Sequence, residues 1–327
     1  MSTRGKPRIL LMHYILDPGP AILAEAGDVI PYPPDRPLDE ASIRQAAEGC
    51  VGIVSQLMDP IGQTVLSTPG LKIVSNVAVG FDNIDVAAAT ANKVMVTNTP
   101  GVLDDATADF AFTLLMTTAR RVVEADAFIR SNQFRGWAID MMLGADVFGA
   151  TLGLIGVGRI GRGVAHRAKG FNMRVLYYDP NPLPPDAEQQ LGATRVPLDR
   201  LLAESDFVSV HVPLTQETHH LLSTAQYGQM KKTAILINTS RGPVVDEAAL
   251  VEALNAKKIA GAGLDVYERE PAVHPGLVVL PNVVLAPHIA SATTRTRSEM
   301  SAMASRNMAT AVRGGRPPNL VNPEVKR

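Results

Sequence analysis

Residues 151–161 read Thr-Leu-Gly-Leu-Ile-Gly-Val-Gly-Arg-Ile-Gly, and few local patterns restrict a fold as tightly. An apolar run (Leu152, Leu154, Ile155) leads into glycines at 156, 158 and 161. Val164, Ala165 and Ala168 then recur at helical spacing, and a second β-rich run, Arg174-Val-Leu-Tyr-Tyr, ends in Asp179. The order is strand, glycine turn, helix, strand, acid. Gly156 permits the tight turn out of the strand, Gly158 leaves the backbone uncovered, and Gly161 lets the helix lie close to the sheet. A helix that begins behind such a turn offers unpaired N–H groups and a positive dipole end to an anion. The pattern therefore predicts a seat for the diphosphate of a dinucleotide. Asp179 would accept hydrogen bonds from the ribose hydroxyls and repel a 2′-phosphate, so NAD(H) is expected in preference to NADP(H). A plain glycine loop would explain neither the helical spacing nor the acid.

At 327 residues the chain has the length of about two domains, and its 46% hydrophobic residues suffice for two cores. A net charge of −1 and no long lysine or arginine run argue against nucleic acid or a membrane surface as partner. Small anionic ligands must then be held by local charges. Cys50 is the single cysteine, so no internal disulfide can form; this suits a reducing cytoplasm and reads as a packing residue rather than a nucleophile. No charged-then-apolar leader precedes Arg8 and no apolar run approaches ~18 residues, so a cytoplasmic, non-membrane protein is expected. Neither H-E-x-x-H nor C-x-x-C spacing occurs, and no metal is expected.

Before the glycine turn, strands are predicted at residues 8–14, 51–55, 71–77 and 94–97, alternating with helical stretches. Pro31, Pro33, Pro34 and Pro37 read as a rigid surface connection. Asn98-Thr-Pro-Gly101 breaks the pattern, and residues 104–127 read as one long helix with Phe110, Leu114, Leu115 and Ala119 on one side. From Thr151 on, short apolar strands are predicted at 152–155, 174–178, 207–212, 234–238, 261–266 and 283–286, mostly separated by helices. Such alternation implies a parallel, doubly wound sheet, with ligands beyond the carboxyl ends of its strands. Three strands run there into Thr239-Ser-Arg241, through Asp265 to Glu270-Pro271, and into Pro287-His288. The expected division is a dinucleotide-binding domain over residues 101–290 and a smaller domain over 1–100 and 291–327, to which a helix at 301–312 returns.

Together these motifs resemble the D-isomer-specific 2-hydroxyacid dehydrogenases, and look most like the glyoxylate/hydroxypyruvate reductase branch. The likeness runs from Val77-Ala-Val-Gly-Phe-Asp-Asn-Ile-Asp85 through the glycine turn to Pro317-Pro-Asn-Leu-Val-Asn-Pro323. It implies an α/β protein in which a Rossmann domain is joined to a smaller flavodoxin-like α/β substrate-binding domain. It also implies NADH-dependent reduction of a small 2-keto acid with a triad of Arg241, Glu270 and His288. In that chemistry an acid must deliver a proton as the carbonyl oxygen gains charge. His288 matches this role, Glu270 would favour its imidazolium, and Arg241 offers fork-shaped donors to the substrate's oxygens. The resemblance further assigns the backbone N–H groups of Val79 and Gly80 to the substrate carboxylate, with the ligand lying between the domains. Its cofactor contacts fall on Gly156, Gly158, Arg159, Ile160, Gly161, Asp179, Thr239, Ser240, Arg241, Asp265 and Thr107. The segment Phe134-Arg-Gly-Trp137 resembles an arm that reaches a partner subunit, which implies a homodimer. Taken singly, His288 would read as a core histidine, Arg241 as a surface cap, Glu270 as an exposed turn residue and Asp265 as a turn aspartate. Glu268 is a rival carboxylate, set aside because the family places the acid directly before the proline. His219, His220 and His274 read as loop residues. A 2-ketogluconate or short-form phosphoglycerate dehydrogenase, and a non-enzymatic NAD-sensing protein on the same fold, remain open readings.

Overall fold

A computed structural model describes residues 5–325. The chain divides into two compact units, one running to Leu103 and resuming at Ala292, the other spanning Asp104–Ser291.

The first unit is built on a five-stranded parallel sheet: β1 (Arg8–Leu11), β2 (Asp28–Pro31), β3 (Cys50–Ser55), β4 (Ile73–Asn76) and β5 (Met95–Thr97), in the order β2-β1-β3-β4-β5. The apolar side chains Leu10, Ile53 and Val74 are fully buried on one face; Ile9, Ile73 and Met308 are buried on the other. Met308 comes from the helix Thr294–Val312, which begins seven residues before the segment expected from sequence. Gly52 makes room for it, since a Cβ there would lie 2.4 Å from the Met308 sulfur, and the Ser75 hydroxyl donates to the Ala304 carbonyl at 2.8 Å. The proline-rich stretch is not all connection. Its first proline closes β2, an edge strand, where a residue without an N–H is tolerated. Cys50 is buried and its thiol is pushed up by that burial, which fits packing and not nucleophilic work.

The second unit carries seven parallel strands: β6 (Thr151–Ile155), β7 (Arg174–Tyr178), β8 (Ala193–Arg195), β9 (Phe207–Val210), β10 (Ile235–Asn238), β11 (Gly261–Leu264) and β12 (Val283–Leu285). Their order, β12-β11-β10-β9-β6-β7-β8, reverses direction at β6. The glycine turn thus leaves the sheet at its switch point, where a crevice for ligands opens in sheets of this kind. β8 is absent from the sequence prediction because three residues with Thr194 and Arg195 exposed make no apolar run. The strands predicted to reach 212 and 266 stop at Val210 and Leu264, and the residues left over, His211 and Asp265 among them, turn out of the ladder into the site.

The single helix expected over 104–127 is two, Asp104–Ala119 and Val122–Arg130, broken at Arg121, which takes a left-handed φ of 52°. The break is tertiary in origin. The Ala119 carbonyl accepts the N–H of Ala145 at 2.8 Å, and a Cβ on Gly144 would come within 2.3 Å of that same oxygen. A chain returning so close leaves no room for the helix to continue. The second helix buries none of its residues, and Val122, Val123, Ile129, Phe134, Trp137, Ile139 and Leu143 along this excursion are all exposed.

Candidate active site

The glycine turn is shaped by backbone constraints that require glycine at 156 and 161. Gly156 adopts φ 93°, a region closed to most side chains, and a Cβ on Gly161 would lie 2.3 Å from the Gly156 carbonyl oxygen. Gly158 is different: a Cβ there meets nothing within 4 Å, so the space in front of this backbone is open. Directly behind it begins the helix Arg159–Ala168, whose first N–H groups face that space. Asp179 is locked to the turn through one carboxylate oxygen that accepts the Val157 N–H at 2.9 Å, while the other accepts Asn181 N–H at 2.9 Å. Arg159 pairs with Asp104 at 3.0 Å; burial raises the Asp104 carboxyl, partly offset by that guanidinium. Ile160 packs against the apolar cluster beneath the helix, and Thr107 is buried on the helix Asp104–Ala119.

His211 follows β9 and backs the turn: its carbonyl carbon lies 2.8 Å from where a Gly156 Cβ would stand, and its ring Nε2 shares a hydrogen bond with Ser209 Oγ at 2.9 Å. Burial pushes its imidazole down to about 4. The folded protein therefore holds this ring neutral while the unfolded chain protonates it near its ordinary value. The resulting stability is complete above about pH 6.5 and is lost as pH falls toward 4, by roughly 1–3 kcal/mol in total. In His211→Gln, which keeps an amide to meet Ser209, chemical denaturation at a series of pH values is expected to show a flatter decline between pH 6.5 and 4. An unchanged slope would mean that another group causes the loss.

The triad residues come together at the carboxyl ends of β10, β11 and β12. His288 Nδ1 lies 2.8 Å from Glu270 Oε2, and the other oxygen of Glu270 accepts the Tyr267 N–H at 3.0 Å. Burial drives the Glu270 carboxyl up, but the hydrogen bond and charge of His288, the Tyr267 N–H and the charge of Arg241 outweigh it and leave the carboxyl lowered. An ionised carboxylate only accepts, so His288 Nδ1 carries a hydrogen and Nε2 is the ring atom left for a ligand. His288 itself has φ 53°, a conformation that histidine adopts more readily than bulkier residues. What holds it there is Asp265. Its carbonyl accepts the His288 N–H at 2.9 Å, and its two carboxylate oxygens accept the N–H groups of Ile289 and Ala290, both at 2.8 Å. Burial raises the Asp265 carboxyl, and those two N–H groups pull it back. Asp265, expected near the cofactor or in a turn, fastens the loop that aims His288.

Several contributors escaped the sequence reading. Fully buried Asn238 accepts the Ser240 N–H at 3.0 Å and donates to the Arg241 carbonyl at 3.0 Å, which folds the turn that projects Arg241. The Tyr267 hydroxyl ties β12 down through the Ala286 carbonyl at 2.9 Å. Glu268 accepts the Glu247 N–H at 2.8 Å and Glu247 accepts that of Glu268 at 2.9 Å, so the rival carboxylate fastens the loop rather than facing His288. His220 lies in a loop as expected, with Nε2 3.2 Å from Glu268. His274 caps a short helix through the Gly276 N–H. None of these bonds follows a local spacing rule. The nearest available signal was the Asn238-Thr-Ser pattern of a side-chain-capped turn.

The residues fit a dinucleotide: an open seat over Gly158, a helix N-terminus behind it, a carboxylate at the tip of β7, and at the end of β10 a buried Thr239 hydroxyl with no partner among the described residues. No group of histidine, cysteine or carboxylate side chains suited to a metal, and no helix long and apolar enough to cross a membrane, occurs among the described residues. Val79 and Gly80 follow β4 in the first unit, both half-buried.

Residues 112–290 match the family model described as "D-isomer specific 2-hydroxyacid dehydrogenase, NAD binding domain". The chain is 52% identical over 324 residues to a glyoxylate reductase of Korarchaeum cryptofilum, covering 98% of this chain and 97% of that relative. A solved glyoxylate reductase from Paecilomyes thermophila aligns with a TM-score of 0.87 at 33% identity, covering 98% and 99% of the two chains. An NADPH-dependent glyoxylate/hydroxypyruvate reductase of Sinorhizobium meliloti, solved with NADP and malonate, aligns with a TM-score of 0.86 at 33% identity over 97% of each chain.

Proposed function

Because this chain belongs to the D-isomer specific 2-hydroxyacid dehydrogenase family, we propose that it reduces glyoxylate, hydroxypyruvate or a similarly small 2-keto acid to the D-2-hydroxy acid, with NADH as its preferred cofactor. It is an oxidoreductase that acts on a 2-keto acid and binds a nicotinamide dinucleotide. A nicotinamide dinucleotide held at the glycine turn and Asp179 would supply the hydride that C2 of the keto acid takes. Every other requirement falls to side chains of the protein. Arg241 engages the carboxylate and carbonyl oxygens of the substrate through paired N–H donors and keeps its charge throughout. As the carbonyl oxygen gains negative charge, His288 gives it the Nε2 proton; Nδ1 stays protonated because Glu270, already ionised, holds that hydrogen. Glu270 thus fixes the ring's orientation and its tautomer after transfer. The backbone N–H groups of Val79 and Gly80 take the substrate carboxylate.

The observation that carries this reading is the 2.8 Å contact between His288 and Glu270 at one sheet edge, with the charge of Arg241 acting on Glu270. The test is direct: purified protein is mixed with NADH and a panel of small 2-keto acids, and loss of NADH absorbance is followed. Rapid oxidation with glyoxylate or hydroxypyruvate is expected. No turnover with any member of the panel, despite NADH binding, would point to the nucleotide-sensing reading instead.

Asp179 sets the cofactor preference in this proposal. A 2′-phosphate placed beside its carboxylate costs ~1–4 kcal/mol, so kcat/KM is expected to favour NADH by very roughly 5-fold to several hundred-fold. Arg195, which donates to the Asp179 and Pro180 carbonyls from β8, is a cation near the same strand tip. In Asp179→Ser the preference is expected to fall toward parity, and parallel NADH and NADPH kinetics check it. Equal efficiency with both cofactors in the unaltered protein would remove Asp179 as discriminator. The exposed Trp137 and its apolar neighbours on the 120–144 excursion support a homodimer, in which this segment borders the partner's substrate pocket. A cytoplasmic setting accords with the lone buried thiol.

A further inference from the structure

The motif Asn98-Thr99, which sequence alone marks only as an interruption, faces the carbonyls of the Val79 loop. Thr99 N–H donates to the Ala78 carbonyl at 2.8 Å, and Asn98 Nδ2 donates to the Val79 carbonyl at 2.8 Å. Two consecutive carbonyls thus point at one neighbouring segment. A trans peptide is planar, with its N–H directed opposite to its C=O. The N–H groups of Val79 and Gly80 are therefore both turned to the side away from Asn98 and Thr99, and among the described residues neither donates a hydrogen bond. Successive N–H groups on one side form a concave seat for an anion. An extended chain would instead alternate them.

The next peptide is fixed independently. Asn76, fully buried at the end of β4, donates one Nδ2 hydrogen to the Gly80 carbonyl at 3.0 Å and the other to Asn83 Oδ1 at 3.2 Å, while its Oδ1 accepts from Ser55 Oγ at 3.0 Å. All its polar atoms are used, and a flipped amide would set oxygen against two oxygens, so its orientation is determined. The backbone of Asn98 is held in turn by Asn319 and Asn307 at 3.3 Å each.

We propose that Asn98 is a positioning residue for substrate binding: by engaging the Val79 carbonyl it turns the Gly80 N–H, alongside that of Val79, toward the carboxylate of the keto acid. Asn76 braces the following peptide. This rests on the reading that Val79 and Gly80 bind that carboxylate. Because Asn98 acts through the Val79 peptide, its effect appears in carboxylate affinity and not in the chemical step.

The test compares wild type with Asn98→Asp, which keeps the shape but offers Val79 no donor, and Asn98→Ala. Glyoxylate KM is expected to rise ~10-fold or more in both, with kcat within about threefold and NADH affinity unchanged, because one of two charge-assisted donors is misaimed. Titration of the NADH-bound protein with oxamate, followed by amide resonances, separates this inference from the reading beneath it. In wild type the Val79 and Gly80 amides are expected to shift strongly; if they do not move, the carboxylate lies elsewhere and the reading itself is wrong. If they shift in wild type, yet the folded variants bind oxamate and glyoxylate within twofold of wild type, the positioning role of Asn98 is overturned. A role confined to folding would lower the melting temperature and leave KM in place. Should Asn98→Asp fail to fold, Asn98→Ser carries the same comparison with the same expected rise.

Discussion

His288→Ala is expected to lower turnover by on the order of 10²–10⁴-fold, about 3–5 kcal/mol of barrier, with NADH affinity little changed. The direction follows from the geometry: Glu270 is ionised and cannot replace the lost proton, and the proposed cofactor anchors at Gly158 and Asp179 follow β6 and β7, not the strand ends that carry His288. The substitution also removes the main partner that lowers Glu270. With burial then the leading influence, the Glu270 carboxyl is expected to rise, which carbon-13 NMR of the labelled carboxyl can follow through an acid titration. In the unaltered protein this depressed carboxyl contributes stability above its unfolded-state value and loses it as pH falls through the folded one; in the variant that contribution is expected to shrink. Stopped-flow kinetics with saturating NADH would decide the main point. Near-normal reduction by His288→Ala would place the acid elsewhere.

Gly158→Val should abolish useful cofactor binding while sparing the fold. The backbone there has φ −62° and an added Cβ meets nothing within 4 Å, so the side chain has room and the loss at the helix start is about 1 kcal/mol. That same room is what a diphosphate would occupy in front of the helix N-terminus. Two valine methyls would hold it off the N–H groups, and a rise in NADH Kd of at least ~100-fold is expected, roughly 3 kcal/mol. Fluorescence titration with NADH and a melting curve test both halves of the statement. Tight binding by the folded variant would move the diphosphate off this turn.

The contrast between legible and illegible residues has a physical basis. The glycine turn, Asp179 and the strand ends that carry Arg241, Glu270 and His288 could be marked from sequence because strand and helix periodicities are local and sheets of this type gather ligands at one edge; the choice of those three residues, and of Glu270 over Glu268, came from the resemblance to the family. Arg121 could not be recognised as a helix break, because the cause is the N–H that Ala145 donates to the Ala119 carbonyl, from a segment the local pattern leaves without structure. β8 was hidden by its polar, three-residue length. An aspartate at a strand end serves equally well for binding a cofactor or fastening a neighbouring loop, and for Asp265 only the positions of Ile289 and Ala290 reveal the second use. Asn238, Asn76 and Asn98 illustrate the same limit. An asparagine shows its value through the peptides it orients, and those are distant in sequence or chosen by the turn.

The meeting of Ala119 and Ala145 has a consequence for how this protein can change. Because the chain leaves and rejoins the domain at one carbonyl, the excursion between them behaves as a tethered handle whose roots are fixed whatever its tip does. Doubling such a closed segment costs only about 0.6 kcal/mol in closure entropy. Insertions, deletions or a wholly grafted sequence between residues 122 and 142 should therefore leave the sheet and its strand-end residues in register, provided Gly144 is kept. Evolution, or an engineer, can rewrite the surface this handle presents without disturbing the strand ends at its root.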